Sequence, residues 1–248
     1  MGPCSKEPGP ISCPMLHRIT FLTIGQTPRD DLVPEIVAAL PLAVDVREWG
    51  ALDGLDAEEI ADLAPDEHDH ALVTRLRNGD QAIIGKRWVT GRIQEYLDGN
   101  ADEEDADGPG GARRRWRSGE ATVLLCTGDF SDLRPHGLFL DAQHLVDSGV
   151  DMLCHGAESI GLMVPLDRQQ GEHHYHPPAG QRLRTAHASP YDADDDFEAA
   201  GSALADCDLI VMHCMGYSEA QRAVVVRASG RPVLLARRLV ASALSQLL

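Results

Sequence analysis

Lysine is almost missing from this chain, and positive charge is in short supply altogether. Lys6 and Lys86 are the only ammonium side chains among 248 residues, so nearly all of the 22 Lys and Arg residues are arginines. Against them stand 39 Asp and Glu, giving a formal net charge of −17 and a pI near 4.9. Such a surface repels phosphate backbones, which excludes nucleic acid as an expected partner. Long apolar runs are absent too. None approaches the ~18 residues of a spanning helix, and residues 1–17 hold no apolar stretch of the kind an export signal needs. The expectation is a soluble, cytoplasmic protein with no membrane partner. Six cysteines without a C-x-x-C pair predict free thiols in a reducing compartment rather than a disulfide scaffold. Neither G-x-x-x-x-G-K-[ST] nor a strand-following G-x-G-x-x-G occurs, so the common phosphate loops are excluded.

What is present is an ordinary globular composition, 43% hydrophobic and 25% charged, on a chain long enough to bury a core. Short apolar runs alternate with helical patterns, which predicts the α/β class with parallel sheets. Strands are expected at 18–25, 44–49, from 121, at 159–164, 183–188, 208–214 and 232–235. Helices are expected after Asp30 as N-cap, at 89–97, 136–148, 194–205 and 218–228, and at the C-terminus. Asn78 and Gly79 between two β-prone runs predict a hairpin, the one sequence feature offered as a homodimer interface. Residues 1–17 read as a flexible lead and 98–118 as a mobile loop, acidic and Gly-rich before a basic run. The rest, 18–248, reads as two comparable lobes. One covers about 18–150 plus the C-terminal helical segment, the other about 155–215, with a cleft between them.

Two cysteines stand out by position. Cys126 in VLLCTG and Cys214 in VMHCMG each end an apolar strand and precede a Gly-containing turn, where parallel sheets place their ligands. Helix N-termini after such strands lower a thiol pKa. One thiol on each lobe could remove a proton from one face of a substrate and return one to the other. Free cysteine is also among the most buried residue types, and both could fill core space. Asp129 beside Cys126 would oppose its ionisation, so Cys214 is expected to be the more reactive. In the turn after the first strand, Gly25, Gln26, Thr27 and Arg29 could hold an anionic group. Thr127, Gly128, Met215 and Gly216 would shape the thiol turns, and Glu158 and Ser159 are possible cleft residues. His173, His174 and His176 sit in a polar, Pro-containing stretch that reads as a surface loop, so no metal site is expected.

The runs LTIGQTPRDDLVPEI, VLLCTGDF, VMHCMGYS and RPVLLARRLVA together resemble the AroM family, from about Arg18 to the C-terminus. That family is similar to the aspartate/glutamate/hydantoin racemase superfamily. The resemblance implies two α/β lobes with the active site between them, no cofactor, and one catalytic cysteine per lobe, at Cys126 and Cys214. It implies a racemase or isomerase acting on a small carboxylate or amino acid. A one-cysteine isomerase or decarboxylase, and a non-catalytic protein binding a small anionic metabolite, are the alternatives. The residues after the thiols differ from the racemases' Asn-Thr and Thr-Glu, being Thr127-Gly128 and Met215-Gly216.

Overall fold

Alternate residues of each central strand face different apolar layers, and this fixes the architecture. The computed structural model describes residues 16–99, 118–172, 175–177 and 179–248. Its first half runs β1 (Arg18–Thr23), α1 (Val33–Ala38), β2 (Asp45–Gly50), α2 (Ala57–Ala61), β3 (Ala71–Arg75), β4 (Gln81–Gly85), α3 (Lys86–Leu97), β5 (Glu120–Leu124), β6 (Leu138–Asp141) and α4 (Ala142–Leu153). The second runs β7 (Ser159–Val164), a short 3-10 turn (Asp167–Gln170), β8 (Arg182–His187), α5 (Phe197–Ala203), β9 (Leu209–Met212), α6 (Glu219–Ser229), β10 (Val233–Leu235) and α7 (Ala236–Ser245).

Two four-stranded sheets result, ordered β2-β1-β5-β6 and β8-β7-β9-β10, every pairing parallel. Both follow one plan: the first strand lies between the second and third, and the fourth flanks the third. Ile19, Phe21 and Val123 of one sheet share a core with Ile160, Leu162 and Val211 of the other, together with Ile36, Val146, Val150, Val240 and Leu244 from α1, α4 and α7. The outer faces pack separately. Leu22 and Leu124 meet Val89 and Ile93 of α3, whereas Met163, Ile210 and Met212 meet Ala200 and Val225. At about 1.5–3 kcal/mol per buried large apolar side chain, these three layers dominate the stability.

The β3–β4 hairpin forms as expected. Its register ends at Arg75↔Gln81, Leu76 N–H bonds Asp80 O at 2.8 Å, and Gly79 takes φ 97° in the remaining three-residue loop.

Several sequence expectations need correction. Residues 138–141 form β6 rather than the start of a helix, because this short LFLD run pairs with β5 and Asp141 then caps α4 by accepting the Gln143 N–H. Four residues are too few to display a strand period. Asp30 is exposed and caps nothing; α1 starts later, after Leu32, with Pro34 in its first turn. The short α2 was not expected, although Asp56 and Glu59 form a capping box there. Residues 1–15 of the expected lead and 100–117 of the expected mobile loop lie outside the described residues.

A candidate active site at the strand ends of both sheets

The carboxyl ends of β1, β5, β7 and β9 open onto one cavity of about 80 Å³. Ile24, Cys126, Thr127, Gly128 and Asp129 line it from one sheet, and Val164, Pro165, His213 and Cys214 from the other. Its remaining wall is the hairpin with its flanks, His70 to Val73 and Lys86, and the segment bearing Gln169 and Glu172. The hairpin is therefore a cover. Gln169 Nε2 donates to Ala71 O at 3.0 Å and Arg168 to Asp69 O at 3.2 Å, tying it to the second sheet's loops. Arg77 donates to Gln26 Oε1 through its backbone at 2.9 Å and to Thr27 O through its side chain at 2.8 Å, tying it to the first sheet's loop. A β-carbon on Gly25 would stand 2.2 Å from Thr74 Oγ1, so glycine is what lets the hairpin cross so closely.

The two thiols occupy equivalent places. Each lies two residues beyond the third strand of its sheet, and each sulfur accepts the N–H two residues on: Gly128 to Cys126 and Gly216 to Cys214, both at 3.4 Å. Thr127 Oγ1 donates to His213 O at 3.1 Å, stitching one thiol's turn to the other's.

Their surroundings differ. Cys126 is 8% exposed and Cys214 more open. Burial pushes both thiols up, Cys126 to about 12 and Cys214 to about 11. The Arg29 charge opposes this at both sulfurs, and Arg237 opposes it further at Cys214, where Asp31 pushes the same way as burial. At Cys126 the other sulfur and Asp141 push the same way as burial, and burial also raises Asp141 itself, to about 6. The expected lowering by helix N-termini is thus corrected: no helix directly follows Cys126, and α6 begins only at Glu219. The acidic neighbour identified for Cys126 is Asp141, reached across the β5–β6 pairing, where Asp129 was expected.

Arg29 is not a substrate clamp in this structure. It is 4% exposed, holds Asp31 through two bonds of 2.8 and 2.9 Å, and donates to Thr23 Oγ1 and Tyr191 OH. Gln26 and Thr27 hold the hairpin and Asp53 respectively. Met215 is buried, and its carbonyl accepts from Arg237. Gly216 packs so tightly that a β-carbon would lie 2.2 Å from Tyr191 OH. Glu158 and Ser159 are corrected outright: they sit at the amino end of β7, where their N–H groups bond Asp208, away from the cavity at its carboxyl end. His173 and His174 lie outside the described residues, and among the described residues no group of three metal-ligating side chains occurs.

Sequence reasoning missed Arg237 and Lys86. Arg237 is 2% exposed. It donates to Met215 O and Gly216 O at 3.0 and 2.9 Å, to Asp31 O at 3.1 Å and to Glu35, so it clamps the Cys214 turn onto α1. His213 pairs with Asp147 of α4 at 2.8 Å. Their partners lie far off in sequence, so only the unusual apolar setting of the arginine in LLARRL could have signalled it.

A model of the AroM protein family matches residues 19–248. This chain belongs to the AroM family. No curated protein matches the sequence in a direct search. Among solved structures, this AroM chain is similar in fold to the Picrophilus torridus aspartate racemase, at 10% identity and a TM-score of 0.51, over 92% of this chain and 93% of that one. The maleate isomerase Iso from Pseudomonas putida S16 matches at 13% identity and 0.51, covering 93% and 92%. An arylmalonate decarboxylase matches at 15% and 0.52 over the same shares. The AroM chain thus has a racemase-like α/β fold. Among the described residues no helix is long and apolar enough to cross a membrane.

Proposed function

We propose that this AroM-family protein moves a proton at a carbon acid, racemising or isomerising a small carboxylate or amino acid with two thiols and no cofactor. The observation that carries the reading is the placement of Cys126 and Cys214 at equivalent turns of two like-ordered sheets on one cavity. The names of the fold relatives, a racemase, an isomerase and a decarboxylase, support this kind of reaction. In the forward direction the Cys214 thiolate takes the proton from carbon. The Cys126 thiol then gives its own proton to the opposite face, leaving the Cys126 thiolate and a Cys214 thiol; the reverse reaction exchanges these roles. Arg29, whose charge favours the thiolate at both sulfurs, offsets part of the burial cost in either state.

Because both thiols lie above neutrality, the reactive form grows with pH, and activity should rise about tenfold per unit through the neutral range. The test is α-proton exchange in D₂O over a panel of amino acids and small acids with reduced, folded protein. Exchange accompanied by inversion supports the reading; no exchange with any member overturns it.

The unequal charge around the sulfurs favours a second reading, in which Cys214 alone acts by addition or by single protonation. One cysteine variant would then retain much of the activity.

A further inference from the structure

The cavity wall formed by the hairpin base carries its own charges, separate from the thiols. Lys86 Nζ forms an ion pair with Asp129 Oδ2 at 3.7 Å, too long for a hydrogen bond, and lies 6.0 Å from the centre of the Phe130 ring, while its side chain is only 14% exposed. Across His70, Glu172 presents a second feature. Its Oε1 accepts from Arg168 Nε at 3.2 Å and pairs with Arg168 Nη2 at 3.1 Å, but its Oε2 is buried without a hydrogen-bond partner among the described residues, with His70 Nδ1 4.0 Å away. A buried carboxylate oxygen left in this state is costly unless something donates to it. Both residues line the cavity, and Arg29, the expected anchor, is committed to Asp31.

We infer that Lys86 and Glu172 are specificity-determining residues that bind the two ends of a small zwitterion, Lys86 its carboxylate and Glu172 Oε2 its ammonium. The assignment rests on the cavity being the substrate site proposed above. Among the described residues Lys86 is the only lysine or arginine lining the cavity; it pairs with Asp129, while the other lining carboxylate, Glu172, pairs through Oε1 with Arg168. A dicarboxylate would set its second carboxylate against Glu172 Oε2, whereas a zwitterion is matched at both ends. Size points the same way. The cavity of about 80 Å³ has room for about five to eight water-sized groups, enough for a molecule of alanine's size. Its other walls, Ile24, Leu72, Val73 and Val164, suit a short apolar side chain.

The experiment measures how strongly added L-alanine, propionate, ethylamine and malonate slow alkylation of Cys214 in the intact protein, which requires binding but no turnover. Alanine should protect at the lowest concentration, with propionate and ethylamine weaker and malonate weakest. Lys86→Met should weaken alanine by about tenfold or more, the loss expected for one charge-assisted hydrogen bond, and Lys86→Arg should restore part of it. Glu172→Gln should weaken alanine similarly while leaving propionate unchanged, a split that general loosening of the wall would not produce. Equal protection by alanine and propionate, no protection by any of the four, or a Lys86→Met variant that binds alanine normally would overturn the assignment. Protection in the expected pattern without α-proton exchange would sustain the anchor and remove the proposed reaction. Exchange in wild-type protein alongside an unaffected Lys86→Met variant would do the opposite.

Discussion

The turns after β5 and β9 place their cysteines alike, yet they give them different electrostatic settings. Each sulfur accepts one N–H at 3.4 Å and each faces the same cavity. Cys214 has the charges of Arg29 and Arg237 in its favour and Asp31 against it, whereas Cys126 has Arg29 alone in its favour, with Asp141 and the other sulfur against it. Repeated topology therefore supplies two equivalent positions, and the charged residues around them differ. Arg237 is the clearest case, because α7 reaches back from the end of the chain to hold the Cys214 turn against α1.

The largest effect expected is on chemistry. Cys126→Ser and Cys214→Ser should each lower racemisation by about 10²- to 10⁴-fold, the usual weight of a positioned acid or base. Retention of most activity by one variant would break the comparison in favour of a single acting thiol. Next comes the clamp. Arg237→Met should cost roughly 2–4 kcal/mol in denaturant unfolding, since it leaves the carbonyls of Met215, Gly216 and Asp31 without their donor; the part-exposed Glu35 adds little. Arg237→Lys should keep the charge near Cys214 and recover part of its alkylation rate relative to Arg237→Met.

The sequence made the α/β class, the two thiols and the hairpin legible, because apolar runs, strand-end position and an Asn-Gly turn are local signals. What it concealed was long-range. Asp31 is close to Arg29 in sequence, but nothing local tells that Tyr191 accepts from the same guanidinium, or that Asp141 reaches Cys126 across a strand pairing. Glu158 and Ser159 are possible cleft residues by sequence, but an element's direction decides which end meets the cavity, and β7 begins where they stand. The hairpin was visible while its destination was not: it closes the cavity through Arg77 and the backbone of Ala71.

Stability at high pH sharpens the comparison further. A thiol raised to about 12 in the folded protein ionises earlier when unfolded, near the ordinary value of 9.0. Its stabilisation is complete below about pH 9 and is lost as pH climbs toward 12, at up to about 1.4 kcal/mol per pH unit. Cys126→Ala should flatten that decline, measured by urea unfolding between pH 8 and 10, and Cys214→Ala should flatten it over a narrower range ending near 11. The smallest effect belongs to Asp141→Asn, which can still cap α4. Removing the negative charge should speed Cys126 alkylation roughly twofold to threefold at pH 8, with the gain shrinking as pH falls through about 6 and the wild-type carboxyl protonates.

The inequality of the two thiols is tested most directly by site-resolved alkylation of the wild-type protein across pH, with each cysteine followed by peptide mass. Cys214 should react ahead of Cys126 at every pH from 7 to 10, by roughly threefold to tenfold. That range allows for a one-unit separation and for the lower nucleophilicity of the more acidic thiolate. Both rates should still be rising at pH 10. Cys126 reacting first, or a plateau for either thiol below pH 9, would contradict the account.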